Sequence, residues 1–192
     1  VRIAPWISTR YRDRERSMGA LVQVIAAQYR ERPGNYLAFF SSFDYLERAL
    51  QRLGQTDADI PVWSQTRGMA EAERDAFIDR FVDGGCGIGF AVLGGAFGEG
   101  IDLPGERLVG AFIATLGMPQ INVDNERMRE RLQSLTGNGH DATYLIPGVT
   151  KVVQAAGRVI RSDQDRGVVW LLDDRYALPG VRRLLPAWWQ VE

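Results

Sequence analysis

Short apolar runs alternate with amphipathic stretches along most of this chain. Four runs are apolar almost throughout, as is typical of strands buried on both faces of a sheet: 35–40, 88–93, 108–116 and 168–172. A shorter strand is predicted at 60–63, where Pro61 indicates a sheet edge or a strand start. Strands that alternate with helices predict an α/β fold, with a parallel sheet and helices on both of its faces. Ligands on such sheets gather beyond the carboxyl ends of the strands.

The intervals between these strands have a helical period. Helices are predicted at 18–31, from Ser41-Ser42 to Gly54, and at 69–82, 124–135, about 148–161 and about 179–185. Ser17 is the predicted N-cap of the first helix, and Gly54 is predicted to stop the second.

Length and composition predict a single globular domain over residues 1–192, since 45% of the residues are hydrophobic and 24% are charged. No apolar run approaches the roughly 18 residues of a membrane span, so we expect no membrane partner and a cytoplasmic protein. The chain begins Val1-Arg2-Ile3, without an initiator Met or a signal peptide. We therefore interpret it as a fragment of a longer protein.

The counts of three residue types exclude several kinds of site. Cys86 is the single cysteine, which excludes a disulfide framework and any multi-cysteine metal site. His140 is the single histidine, which excludes a zinc site built on a histidine pair. Lys151 is the single lysine and lacks the flanking glycines of a P-loop, so the chain cannot be a complete P-loop ATPase.

Charge is distributed unevenly, although the formal net charge is −1. Residues 1–32 carry seven arginines against three acids, and residues 151–183 carry seven basic residues against four acids. This asymmetry permits an anionic partner on part of the surface. Four aspartates are interpreted as turn, cap or arginine-pairing residues and not as a metal site: Asp163, Asp165, Asp173 and Asp174. We expect Asp173 or Asp174 to pair with Arg175 or with a motif arginine.

A glycine-rich segment at 94–105 follows the predicted strand at 88–93. Glycines at such a position let backbone N–H groups approach a phosphate or a sugar closely. Glu99 and Asp102 would repel a phosphate unless they face a hydroxyl, a cation or an arginine. A tight turn capped by Asp102 explains the segment equally well, so both interpretations stay open.

The helix predicted at about 148–161 carries a polar stripe. At 100° per residue, Gln154, Arg158 and Arg161 fall within about 60° of one another, and two planar guanidinium groups suit phosphate oxygens. Gly157 within this helix indicates the close approach of another element. The alternative is a solvated helix face whose arginines pair with acids.

The order of three segments along the chain resembles that of helicase motifs. Tyr36–Phe43 looks like motif IV, Glu99–Asp102 like motif V and Gln154–Arg161 like motif VI. Together they resemble the second RecA-like domain of superfamily 2 DNA helicases of the DinG/XPD type. Leu103-Pro104-Gly105 looks closer to the bacterial DinG branch.

The resemblance extends to most of the chain. Residues 1–16 would be the segment that leads into the domain, and residues 117–147 would be a helix and loop inserted between motifs V and VI. Gly94-Gly95-Ala96 departs from the XPD-like pattern, which has basic residues there.

This resemblance implies a RecA-like parallel sheet and the C-terminal half of an ATP-dependent DNA helicase motor. ATP would bind between this domain and the first RecA-like domain of the same protein. That absent domain would carry the P-loop, the residues that hold Mg²⁺ and any iron–sulfur cluster, and this chain alone would be inactive. On the nucleotide side, Arg158 and Arg161 would act as arginine fingers and Gln154 would orient the γ-phosphate or the attacking water.

The resemblance also assigns residues to the nucleic acid and to its coupling with ATP. Ser41, Ser42 and Arg67 would hold single-stranded DNA by its phosphates. Glu99, Gly100 and Asp102 would line the nucleotide cleft. Gly100 and Asp102 would also couple this cleft to the DNA groove. The alternative function is a stand-alone α/β module that uses the same arginines to bind a phosphorylated ligand or a protein partner.

Overall fold

A computed structural model of the protein describes residues 1–95, 97, 103, 107–159 and 166–192. Over these residues, six strands form one parallel sheet in the order β1-β6-β5-β2-β4-β3. The strands are β1 (Arg2–Ile3), β2 (Asn35–Phe40), β3 (Val62–Ser64), β4 (Gly87–Val92), β5 (Gly110–Ala114) and β6 (Val168–Leu171). The predicted α/β fold with a parallel sheet is therefore confirmed.

The helices cover both faces of the sheet. They are α1 (Arg14–Glu31), α2 (Phe43–Thr56), α3 (Glu71–Ile78), α4 (Val123–Thr136), α5 (Ile146–Ala156) and α6 (Pro179–Arg182). A π-helical turn, Asp141–Leu145, leads into α5, and a 3-10 turn, Asp174–Ala177, follows β6. Helices α1 and α2 cover one face, where Leu21 and Leu46 pack with Phe112 of the sheet. Helices α3 and α5 cover the other face, where Phe77 and Val152 join a second cluster.

The central strand β2 shows why the apolar runs predicted strands well. All six of its residues are buried, because it lies between β4 and β5 and has a helical layer on each face. Tyr36 pairs with Ile88 on one side and with Gly110 on the other. Strand β3 lies at the sheet edge, as Pro61 predicted, although it begins one residue after the proline. The two-residue strand β1 was not predicted.

Two helix boundaries that were predicted from a cap or stop residue were wrong, and the helix predicted at 69–82 ends earlier, at Ile78. Helix α1 begins at Arg14, so Ser17 lies within it and its hydroxyl accepts a hydrogen bond from the Ser8 N–H at 3.0 Å. Helix α2 continues past Gly54 to Thr56, and no atom of the described residues lies within 4 Å of the position that a Cβ on this glycine would take. A glycine costs a helix about 1 kcal/mol, which packing of the buried face of α2 can offset.

Candidate functional site

The carboxyl end of β2 carries two of the residues predicted to contact DNA. Ser41 and Ser42 follow β2 directly and lead into α2. The Ser42 hydroxyl accepts a hydrogen bond from the Tyr45 N–H at 3.3 Å and so caps the helix. Ser41 is exposed beside this helix N-terminus. Helix N-termini favour anions, so the position suits a phosphate group.

The third predicted residue, Arg67, lies at the same helix N-terminus. Its guanidinium group stands 5.0 Å from the ring centroid of Phe43, the first residue of α2. Gln65 fixes the turn that carries Arg67, since its N–H donates to the Phe90 carbonyl at 2.8 Å and its Oε1 accepts from the Val92 N–H at 2.9 Å. The structure therefore brings Ser41, Ser42 and Arg67 to one region of the carboxyl edge.

Arg14 joins this region, although the sequence did not single it out. Its Nη2 donates to Ser41 Oγ at 2.8 Å, and its Nε donates to the Thr9 carbonyl at 2.9 Å. The guanidinium group also lies 4.7 Å from the ring centroid of Tyr45. The arginine-rich composition of residues 1–32 was a signal for such a contact, but it did not indicate which arginine makes it.

A buried ion pair fastens residues 9–14 to the end of β6. Asp173 is fully buried, and its two oxygens accept from Arg175 Nε at 2.7 Å and Arg175 Nη2 at 2.8 Å. The Thr9 hydroxyl also donates to Asp173. Burial alone would raise the pKa of the Asp173 carboxyl, but hydrogen bonds and charge from Arg175, together with Thr9, hold it below its usual value. Of the two aspartates predicted to pair with Arg175 or with a motif arginine, Asp173 is the one that pairs with Arg175.

The helix that carries Gln154 is shorter than predicted. It ends at Ala156, Gly157 is its C-cap, and the Arg158 N–H bonds to the Ala155 carbonyl at 3.2 Å in a following turn. The prediction that Gln154 and Arg158 share a stripe on one continuous helix was therefore wrong. Gly157 ends the helix, and among the described residues a Cβ there would meet only carbonyl oxygens of the preceding turn, so no other described element approaches it.

Helix α5 runs from the carboxyl edge of the sheet toward the amino edge. At its start, a Cβ on Gly148 would lie 2.7 Å from the Leu116 carbonyl oxygen, just beyond β5. Past its end, Val159 packs against Gly167, just before β6. Gln154 is exposed and Arg158 is half-buried. The structure thus does not bring these two residues to the Ser41 region, which lies at the carboxyl edge.

A family comparison decides what kind of domain carries these residues. The profile of the helicase C-terminal domain matches residues 25–192, which is most of the chain. The chain belongs to the helicase C-terminal domain family.

Relatives of this helicase C-terminal domain are helicases by name. It is 30% identical over 182 residues to a probable ATP-dependent helicase of Methanocaldococcus jannaschii, covering 86% of this chain and 27% of the relative. It is 29% identical over 182 residues to the ATP-dependent DNA helicase chl-1 of Caenorhabditis elegans, covering 90% of this chain and 21% of the relative. The chain thus spans about a quarter of the length of the curated relatives it matches.

Solved structures share the fold of this helicase C-terminal domain. An apo XPD structure superposes with a TM-score of 0.74 at 20% identity, over 95% of this chain and 37% of that one. The structure of Xpd4 from S. tokodaii superposes with a TM-score of 0.65 at 22% identity, over 91% of this chain and 34% of that one. The resemblance to the second RecA-like domain of XPD-like helicases is confirmed.

Four of the predicted site residues of the helicase C-terminal domain lie outside the described residues: Glu99, Gly100, Asp102 and Arg161. Asp163 and Asp165 also lie there. Within the described part of the chain, no group of three or more His, Cys, Asp or Glu side chains is placed to hold a metal ion. In that same part, no helix has both the length and the apolar character needed to cross a lipid bilayer.

Proposed function

We propose that this domain is the C-terminal half of the motor of an ATP-dependent DNA helicase, and that it works only beside a first RecA-like domain in the same longer protein. ATP is bound in the cleft between the two halves, and single-stranded DNA crosses the carboxyl edge of the sheet described above. The membership of the helicase C-terminal domain family, together with the convergence of Ser41, Ser42 and Arg67 at one helix N-terminus, carries this proposal.

On the nucleotide side, Arg158 extends into the cleft and stabilises negative charge on the terminal phosphates as ATP is hydrolysed. Arg158 lies in the turn just past the C-cap of α5, and its planar guanidinium group suits phosphate oxygens. Gln154 and Arg161 complete the set by orienting the attacking water and binding phosphate. When bound, Mg²⁺ would neutralise phosphate charge in the cleft, and we assign its ligands to the first domain.

On the nucleic-acid side, Ser41, Ser42 and Arg67 contact successive phosphates of one DNA strand. Hydroxyl groups, an arginine and a helix N-terminus are the groups that bind phosphates without reading sequence. Glu99, Gly100 and Asp102 follow β4, whose carboxyl end lies beside that of β2. Their place in the chain after this strand is the basis for assigning them the coupling of the nucleotide cleft to the DNA.

The purified chain provides a direct test. With one domain and few phosphate contacts, binding of a fluorescein-labelled oligothymidylate is weak, falls steeply as salt rises and shows no sequence preference. The chain alone hydrolyses no ATP, whereas the longer protein does so in the presence of single-stranded DNA. Steady ATP turnover by the chain alone, retained after repurification, would contradict the half-motor proposal. Binding of the oligonucleotide that survives high salt would show that the DNA surface is misplaced.

A further inference from the structure

A cleft of about 620 Å³ opens at the carboxyl edge of the sheet, next to Ser41. One wall is the segment that leads into α1, with Arg10, Tyr11 and Arg14, and the opposite wall is the segment after β5, with Gln120 and Ile121. Its volume is within the range of pockets that hold one small ligand. None of these five side chains belongs to the predicted DNA contacts.

The arginines that line this cleft differ in whether a carboxylate pairs with them. Arg175 is paired with the buried Asp173, and Arg10 Nη1 donates to Asp174 Oδ1 at 2.6 Å. Arg14 instead contacts neutral groups: the Thr9 carbonyl, the Ser41 hydroxyl and two tyrosine rings. Among the described residues, no carboxylate lies within 4.0 Å of its guanidinium nitrogens. Arg14 is thus the cleft cation whose charge is not neutralised by an acid of the described chain.

Arg14 is also held in a fixed orientation. Its Nε–H and one Nη2–H are used by Thr9 and Ser41, while the planar group lies over the Tyr45 ring. An arginine has five N–H donors, so donors remain for a ligand in the cleft. Because Ser41 Oγ accepts from Arg14, the hydroxyl hydrogen of Ser41 can be donated to the same ligand. The pair presents a cation and a hydroxyl donor side by side, an arrangement suited to a phosphate oxygen.

Tyr11 adds an aromatic surface beside this cation. Its side chain is 84% exposed, and its ring centroid lies 5.7 Å from the Arg14 guanidinium carbon. Exposed aromatic rings next to phosphate-binding arginines stack nucleic-acid bases without sequence preference.

We infer that Arg14 and Tyr11 form an additional nucleotide-binding position for single-stranded nucleic acid, in which Arg14 and Ser41 hold one phosphate and Tyr11 stacks on the adjoining base. This inference rests on the proposed function, because it extends the strand from Ser41 into the cleft. A base paired within a duplex has no free face for stacking, so the position selects single strands.

The test measures binding of a fluorescein-labelled oligothymidylate to the chain at several salt concentrations. Arg14→Gln lowers affinity about tenfold or more and reduces the slope of log K against log salt by about 0.7, the contribution of one phosphate contact on a single strand. Arg12→Gln removes the same charge two residues away, from an exposed side chain, and leaves the slope unchanged. Arg14→Lys keeps the slope but loses affinity, because lysine lacks the planar fork.

Tyr11 is tested separately. Because this residue is 84% exposed, its substitution is not expected to disturb the fold. Tyr11→Ala lowers affinity roughly 5- to 150-fold, whereas Tyr11→Phe keeps the aromatic ring and the affinity of the parent chain. Unchanged affinity and slope in both Arg14→Gln and Tyr11→Ala, with the parent chain still binding, would overturn this inference and leave the proposed function intact. A parent chain that binds no oligonucleotide would overturn both. Displacement of the oligonucleotide by equimolar deoxythymidine monophosphate would assign the cleft to free nucleotides and overturn the inference.

Discussion

Asp173 and Arg175 form a two-point ion pair in which Arg175 Nε and Nη2 lie 2.7 and 2.8 Å from the two oxygens of a fully buried carboxylate. The same carboxylate accepts hydrogen bonds from the N–H and the hydroxyl of Thr9. Because Thr9 precedes the turn into α1, this pair fixes the segment from which Arg14 reaches Ser41. A contact in the core therefore positions groups at the surface that is proposed to bind DNA.

Removing Arg175 is expected to destabilise the fold strongly. Arg175→Ala leaves the Asp173 carboxylate buried without a counter-charge, and the loss of one partner of a buried pair costs about 3–5 kcal/mol. Arg10→Ala is the matched control, since it breaks a largely exposed pair with Asp174 and is expected to cost at most about 1 kcal/mol. Urea unfolding monitored by circular dichroism measures both. Equal effects of the two substitutions would show that the buried pair does not fasten the fold.

The same carboxylate is expected to make stability depend on pH in the acid range. The pKa of Asp173 is lower in the folded chain than in the unfolded chain. Its contribution is therefore fully present above the unfolded value of about 3.9 and is lost as the pH falls through the lower folded value. The free energy of unfolding, measured from neutral to acid pH, should fall more steeply for the parent chain than for Asp173→Asn in this window. Parallel curves would contradict the assignment.

Substitutions of Ser41 and Ser42 are expected to have different effects, the first on DNA binding and the second on the stability of the fold. Ser42→Ala removes the N-cap of α2 and costs about 1 kcal/mol of folding free energy, whereas Ser41 caps nothing in the described chain. Ser41→Ala should instead weaken oligothymidylate binding with little change in the melting temperature. Thermal unfolding and fluorescence anisotropy on the two variants distinguish these roles. A larger loss of stability in Ser41→Ala than in Ser42→Ala would contradict the capping geometry.

Two glycines in helices are expected to respond oppositely to alanine. At Gly148, a Cβ would lie 2.7 Å from the Leu116 carbonyl oxygen and 2.9 Å from the Met118 nitrogen, so overpacking should destabilise the fold by about 1–3 kcal/mol. At Gly54, a Cβ would meet nothing within 4 Å, and alanine should stabilise the fold by about 0.4–1 kcal/mol. Chemical denaturation of the two variants measures both signs. Stabilisation by Gly148→Ala would show that α5 does not approach β5 this closely.

The buried strands were predictable from sequence because burial on two faces leaves a continuous apolar run. β2 was predicted to the residue for this reason. The end of α5 was not, because apolar residues at helical spacing continue through Val159 after the C-cap at Gly157 has ended the helix. Hydrophobic periodicity indicates which side chains are buried, but it does not indicate the residue at which the helix ends.

The candidate site was predictable in part. The resemblance to helicases indicated Ser41, Ser42 and Arg67, which the fold brings to one helix N-terminus. Arg14 could not be found in this way, because its contact with Ser41 depends on how α1 crosses the end of β2. Several arginines lie just before α1 and in its first turn, and their spacing does not identify the one that faces the sheet edge.

ATP turnover by the longer protein, at saturating single-stranded DNA, tests most directly whether this domain supplies Arg158 to an ATP site. Arg158→Ala should lower turnover by about 10³- to 10⁵-fold, the range for arginine fingers, and Arg158→Lys should restore little of it. DNA binding should change little in both variants, and Arg131→Ala, an exposed change on α4, should leave turnover unaffected. Full turnover in Arg158→Ala would contradict the proposed role of this domain in ATP hydrolysis.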